Sequence, residues 1–309
     1  MRTHASGATA EPRTVVGVDG SEHARAAALW GAAEATRHGH GLWLVHASNL
    51  DRLDRFASFE TSERARNRGN AVLTETAEVI RQRFPGVGLT VKLSRRNPVT
   101  ALHTAVGPGG MIVVGSRGSG GFGPLLLGSV GLGVVVSSPA PVVVVRGDPE
   151  RGNGAPVTAA VRDEWDTAWL DRAAREAEVR KCPLRLLNVR SLSVRLGVRP
   201  AADDDTGRRA GPGEQFLTGL ASRIREEHPG LTVRVETDTA RSAASVLVEA
   251  SRKAELLVVG SHERHSVSAL GLGHVVHALL HHSHCPVHIV PYTRDARNVA
   301  EEAPWDDSD

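Results

Sequence analysis

Lysine is almost missing from this chain, which carries it only at Lys92, Lys181 and Lys253. Arginine supplies the rest of the positive charge, a compositional bias to which we attach no function. The two cysteines, Cys182 and Cys285, are too few for a disulfide framework and fit a reducing cytosol. Aromatic residues make up 4% of the chain, so the core has to be Val, Leu, Ile and Ala. The net charge of +2 exerts no bulk pull on a polyanion. No apolar run approaches the ~20 residues that span a bilayer. Met1 to Arg13 lacks the apolar stretch of a signal peptide. These absences lead to the expectation of a cytoplasmic protein with no membrane and no nucleic-acid partner.

The chain is 309 residues long and 40% hydrophobic, enough for about two domains with packed cores. A repeat divides it. Thr14 to Ser21 is a short apolar strand ending in a polar turn. A helix over Glu22 to His38 and a strand over Leu42 to Ala47 follow. A loop to about Ser58 leads into a helix over Glu60 to Phe84, stopped by Pro85-Gly86. Leu89 to Leu93 reads as a strand. Asn97-Pro98 caps and opens a short helix. Met111 to Gly115 and Pro141 to Val145 are the last strands of the unit, with a glycine loop and a helix between them.

The second half repeats the order. Strands are expected at Val157–Arg162, Leu184–Val189, Leu231–Val235, Leu256–Gly260 and Pro286–Val290. Helices are expected at Trp165–Lys181, Glu214–His228, Ser242–Lys253 and Gly273–His282. Arg199 to Gly213 reads as a polar loop, and Arg146 to Pro156 as the linker. The expected units are 1–147 and 155–292, followed by a polar tail at 293–309. Alternating strands and helices argue for α/β architecture: two tandem doubly wound domains, each a five-stranded parallel sheet covered on both faces. Such sheets bind ligands beyond the strand C-termini, where strand order reverses. Asp19, Ala47 and Gly115 each fall at such an end.

The most informative stretch is Gly115-Ser116-Arg117-Gly118, then nine residues, then Gly128-Ser129. Small residues between a strand end and a fresh helix N-terminus present backbone N–H groups to an anion. Gly115 and Gly118 allow close approach of backbone to oxygen atoms. The Ser129 hydroxyl adds a donor, and Arg117 a charge for phosphate. The plainer alternative is a flexible connection in which Ser129 caps a helix and Arg117 is a solvated charge. Asp19 could bond a nucleotide, help hold a divalent ion, or cap the helix that follows. His46 reads as a satisfied histidine at a strand end. Two other motifs fail. Gly118 to Gly123 matches G-x-G-x-x-G but runs into Pro124, with no acidic residue at the right distance. The loop also lacks the Gly-Lys-Ser/Thr of a P-loop.

Val16-Gly17-Val18-Asp19-Gly20-Ser21, Val45-His46-Ala47 and the G-x2-G-x9-G-S run together resemble a universal stress protein domain of the ATP-binding subgroup. The likeness extends over the chain as two copies. It implies an adenine nucleotide alpha hydrolase-like fold and an ATP cofactor, with Mg. It implies binding residues Gly17, Asp19, Ala47, Gly115, Arg117, Gly118, Gly128, Ser129 and Val130, and no catalytic residue. Pairing through the last strands is also implied, Val142 to Val145 or Val287 to Val290, within the chain or as a homodimer.

The second copy departs from this pattern. Arg162, or Asp163 if one residue is skipped, stands at the aspartate position. Glu263 stands where Gly118 does, and His274 where Ser129 does. A carboxylate against phosphate repels it, so this half is expected to bind ATP weakly or not at all. Eight of the 15 histidines lie between His262 and His288. His274, His277, His281 and His284 are spaced for one helix face, a geometry that suits a transition metal. Cys285 reads as a small buried hydrophobe. The functional expectation is an ATP-binding regulatory protein of the stress response. The alternatives are a slow ATPase or phosphotransferase, and an interaction or metal-sensing module run by the second half.

Overall fold

Val15 and Val16 lie next to each other in the first strand, yet they join different hydrophobic clusters. That is the mark of a parallel strand buried on both faces. The structure is a computed structural model and describes residues 11–118, 127–147, 154–162, 169–191, 212–262 and 272–292. The first half runs β1 (Arg13–Gly17), α1 (Glu22–His38), β2 (Gly41–Ala47), α2 (Leu50–Phe56), α3 (Phe59–Arg83), β3 (Leu89–Ser94), α4 (Pro98–Ala105), β4 (Met111–Gly115), α5 (Ser129–Ser137) and β5 (Val142–Val145). The second runs β6 (Val157–Ala160), α6 (Leu170–Arg180), β7 (Leu184–Ser191), α7 (Pro212–Glu227), β8 (Val233–Ala240), α8 (Ala243–Ala250), a 3-10 turn at Ser251–Lys253, β9 (Leu256–His262), α9 (His274–His282) and β10 (Val287–Tyr292).

The helix starts follow local chemistry. The Ser21 hydroxyl accepts from the Ala24 N–H at 3.2 Å, and Asn97 Oδ1 accepts from the Thr100 N–H at 3.0 Å ahead of Pro98. Each side chain satisfies an amide that the helix leaves open. α1 ends at Gly39 in the left-handed region, φ 65°, where glycine carries no steric cost.

The strands form one ten-stranded sheet, ordered β3-β2-β1-β4-β5-β10-β9-β6-β7-β8. Within each half all five strands are parallel. The halves meet at β5 and β10, which pair antiparallel with Val143 opposite His288. Helices α1, α3, α6 and α7 cover one face and α4, α5, α8 and α9 the other.

Several expected boundaries move. The segment expected as a loop before Ser58 contains α2. That helix has one buried residue, Leu50, and is tied down by Arg95, which bonds Asp51 at 3.0 Å and Asp54 at 2.5 Å. A seven-residue helix held by distant ion pairs leaves little periodicity to read. β8 begins at Val233 and runs on to Ala240, because its register against β7 extends to Ser191. β10 takes in Pro291 and Tyr292. Proline is tolerated there because the pairing with β5 stops at Ile289. Residues 165–168 of the helix expected from Trp165, residues 199–211 of the loop expected over Arg199 to Gly213, and the tail at 293–309 lie outside the described residues.

Candidate functional site

In the first half the strand order reverses between β1 and β4. A cavity of about 550 Å³ opens there, over the C-terminal ends of β1, β2 and β4. All nine residues singled out from the sequence line it: Gly17, Asp19, Ala47, Gly115, Arg117, Gly118, Gly128, Ser129 and Val130. Val18, Val45, Pro98, Leu102, Val114, Leu127 and Leu132 supply apolar wall. The cavity has an apolar body and a polar rim, the make-up of small-molecule sites.

The rim is built from backbone. The Gly128 N–H donates to Ser116 O at 3.2 Å, folding the β4–α5 connection back on its own strand. Gly128 then caps α5 in extended conformation and gives no side-chain hydrogen bond. The first amides of α5 therefore receive nothing from their cap residue, and the helix dipole adds to their pull on an anion. Glycine is required at Gly115, where another backbone comes close, and at Gly118 a side chain would displace the Asp19 carboxylate. A Cβ on Gly115 would meet His23 O at 2.6 Å, and one on Gly118 would meet Asp19 Oδ2 at 2.6 Å.

Asp19 does what the plainer alternative asked: its Oδ1 accepts from the Ser21 N–H at 3.0 Å. Its Oδ2 lies against Gly118, so the carboxylate also faces the loop. His46 is satisfied, its Nδ1–H donating to Val18 O at 2.8 Å. The Val18 N–H donates to Val45 O at 3.0 Å. These two bonds fix the turn that carries Asp19.

Two basic side chains near the loop were not legible in the sequence. Arg146 was assigned to the linker, yet it follows β5 directly, and β5 pairs with β4 up to Gly115 opposite Val145. Its guanidinium pKa is lowered by burial and then by Arg117. His23, at the start of α1, has its pKa lowered by burial, then by Arg117 and, more weakly, Arg146. Arg117 and Arg146 therefore bring two positive charges near each other, and His23 beside them favours its neutral form. The signal available was topological: an arginine placed after a strand adjacent to β4.

Sheet register settles the comparison with the second half. Thr14 pairs with Met111, and Val157 pairs with Leu256. Asp19 thus corresponds to Arg162, with no residue skipped. Asn188 stands in for His46, its Nδ2 donating to Val161 O at 2.8 Å. His274 is the first residue of α9, as Ser129 is of α5. Glu263 and Asp163 lie outside the described residues.

The histidine face is corrected. α9 stops at His282, and Ser283 caps it, so His284 lies beyond the helix. His277 and His281 do meet, with ring centroids 4.4 Å apart and the planes tilted by 41°. Among the described residues the side-chain groups spaced to hold a metal are Glu34 with His38 and Glu176, and Asp171 with Glu227 and His228. The first is already neutralised by Arg180, which bonds Glu34 at 2.7 Å and Glu176 at 2.5 Å. Cys285 is buried and its thiol is pushed up to about 12, chiefly by desolvation, as suits a core residue.

The profile described as the universal stress protein family matches residues 12–146 and again 156–291. A universal stress protein of Mycobacterium tuberculosis H37Rv, Rv2005c, is 29% identical over 295 residues, covering 88% of this chain and 95% of its own. One from Mycolicibacterium smegmatis is 28% identical over 288 residues, covering 89% and 96%. Among solved structures, a universal stress protein from Archaeoglobus fulgidus DSM 4304 superposes with a TM-score of 0.67 at 19% identity, covering 90% of this chain and 98% of that one. No described helix is long and apolar enough to cross a membrane.

Proposed function

The chain belongs to the universal stress protein family, and we propose that its first half binds ATP as part of a regulatory role in the stress response. The observation that carries this reading is the cavity at the β1/β4 reversal, into which the α5 N-terminus, Arg117 and the Gly115–Gly118 turn all face. Its volume of about 550 Å³ falls within the ~300–1,000 Å³ of small-molecule sites. The base and ribose occupy the apolar part between Val18, Ala47 and Leu102, with Asp19 at the ribose. The phosphates lie on the Gly128, Ser129 and Val130 amides, near Arg117. Gly118 fits this role, since a side chain there would fill the space beside Asp19.

Asp19 is the one carboxylate among the described lining residues. Mg²⁺ would therefore arrive held by the phosphates and would neutralise their charge, since a single carboxylate at the ribose makes no cation site of its own. One carboxylate, already accepting from Ser21, favours occupancy over turnover, because phosphoryl transfer needs a positioned base as well as cationic clamps. The second half carries Arg162 for Asp19 and His274 for Ser129, and we assign it no nucleotide. The units 1–147 and 155–292 act as an internal pair joined through β5 and β10, in the cytoplasm.

The test is stoichiometric. The purified chain is denatured and released adenine nucleotide is counted, before and after soaking with ATP and Mg²⁺. The expected yield approaches one nucleotide per chain. A yield near two overturns the asymmetry, and none after soaking overturns the binding.

A further inference from the structure

One wall of this cavity is fixed by the other half of the chain. Leu127 directly precedes the α5 cap Gly128, and its N–H donates to Nδ1 of His281 at 3.3 Å in a buried contact. His281 belongs to the last turn of α9 and is itself buried. A return contact runs the other way. Arg146 donates from Nη1 to Leu280 O at 2.8 Å and from Nη2 to His281 O at 2.5 Å. It thereby satisfies carbonyls that the end of α9 leaves open. The antiparallel β5–β10 pairing makes both contacts possible, because α5 and α9 cover the same face of the sheet on either side of it.

The two halves are not equivalent in this respect. From β4 onward the repeat runs at a constant offset, Gly115 to Gly260 and Gly128 to Gly273. The same offset carries Leu127 to Leu272, places Val136 opposite His281, and matches Arg146 with Pro291. Val136 is exposed and has no side-chain acceptor. Pro291 has no guanidinium. The histidine side-chain bond therefore reaches only the loop whose glycines and serine are intact.

We propose that His281 is a positioning residue for the phosphate loop of the first half, so that the altered second half sets the nucleotide affinity of its neighbour. The role rests on the nucleotide reading above. Nδ1 accepts a hydrogen bond only when it carries its lone pair, which puts the ring proton on Nε2. With Leu127 held this way, Gly128 keeps the extended conformation that turns the α5 amides toward the cavity. Without it, the loop must be ordered when the ligand arrives, and affinity falls.

The experiment uses the full chain. ATP–Mg²⁺ affinity is measured by calorimetry for the parent, His281→Ala and His281→Asn, with the exposed His274→Ala as a control on the same helix. Asparagine places an amide oxygen where Nδ1 stood. Exchange of the Leu127 amide is followed in parallel without nucleotide. His281→Ala is expected to weaken ATP by about tenfold, the scale of one buried hydrogen bond, and to speed Leu127 exchange. His281→Asn restores most of both, and His274→Ala leaves both near the parent. Equal affinities for parent and His281→Ala overturn the proposal while the nucleotide reading stands. So does a His281→Asn variant as weak as the alanine one, or an unchanged Leu127 exchange rate. A parent that binds no ATP overturns the nucleotide reading, and this role with it.

Discussion

Arg180 of α6 donates from Nη2 to Oε2 of Glu34 in α1 at 2.7 Å, across the boundary between the halves, and both side chains are buried. Its Nη1 holds Glu176 at 2.5 Å and its Nε lies 3.5 Å from Glu255. Three carboxylates thus surround one guanidinium, with Arg37 beside Glu34 at 3.2 Å. Replacing Arg180 by Met keeps the volume but leaves the three carboxylates with Arg37 and His38 alone, one positive charge short. The expected cost is about 3–5 kcal/mol, read as a lower urea midpoint at unchanged slope. Arg180→Met with Glu34→Gln should cost less than the sum of the two single changes.

The same boundary predicts a stability optimum in pH. Burial alone would lower the His38 pKa, but hydrogen bonds to Glu176 and Glu34, with their negative charge, raise it to about 9. A raised pKa stabilises the fold fully below the unfolded value of 6.5, and that stability is lost as pH rises through about 9. His288 is the opposite case. Burial, with Arg172 and Arg180 nearby, lowers it to about 3 against the pull of Glu176. Its neutral form is favoured, so stability is present above 6.5 and is lost as pH falls toward 3. Thermal melts from pH 4 to pH 10 should therefore peak between these arms. His38→Gln should flatten the alkaline arm, and His288→Leu the acid arm. Retention of both arms in the variants would place the titration elsewhere.

What could be read in the sequence divides along a physical line. Strand ends, caps and the glycine loop are local, so Asp19, Gly115, Gly118 and Ser129 were visible from spacing alone. Asn97-Pro98 was read as a cap and is one. Contacts that depend on β5 meeting β10 were not visible. Arg146 looked like linker, and His281 like one member of a histidine row, because their partners lie more than 130 residues away. Glu34 and Arg180 sit in helices whose own sequence singles out neither residue. Nothing in a helix's own pattern says that a charged residue will be buried against a second helix.

Gly118→Glu copies into the first half the residue that the second half carries at this position. The added side chain enters beside Asp19 Oδ2, where even a Cβ would lie 2.6 Å away, and it brings a carboxylate to the proposed phosphate site. ATP affinity should fall by at least about tenfold, or about 1.4 kcal/mol. Gly118 is exposed, so the melting temperature without ligand should move by no more than about 2 °C. Retained affinity would show that Glu263 is not what separates the halves.

Asp19 has two tasks that can be separated by chemistry. Its Oδ1 receives the Ser21 N–H at 3.0 Å, a neutral function that an amide oxygen can take over. Its charge matters to the ligand where the carboxylate bonds a hydroxyl or helps hold an ion. Asp19→Asn should therefore leave the ligand-free melt close to the parent while weakening ATP–Mg²⁺ several-fold. Asp19→Ala should weaken ATP as well and also cost about 0.5–1.5 kcal/mol of stability, the usual scale of one lost hydrogen bond. The sign of the asparagine result decides the geometry. Weaker binding places the ribose or the ion at Asp19. Tighter binding means that the carboxylate had been repelling phosphate, and the nucleotide would then lie the other way round, with its phosphates over β1.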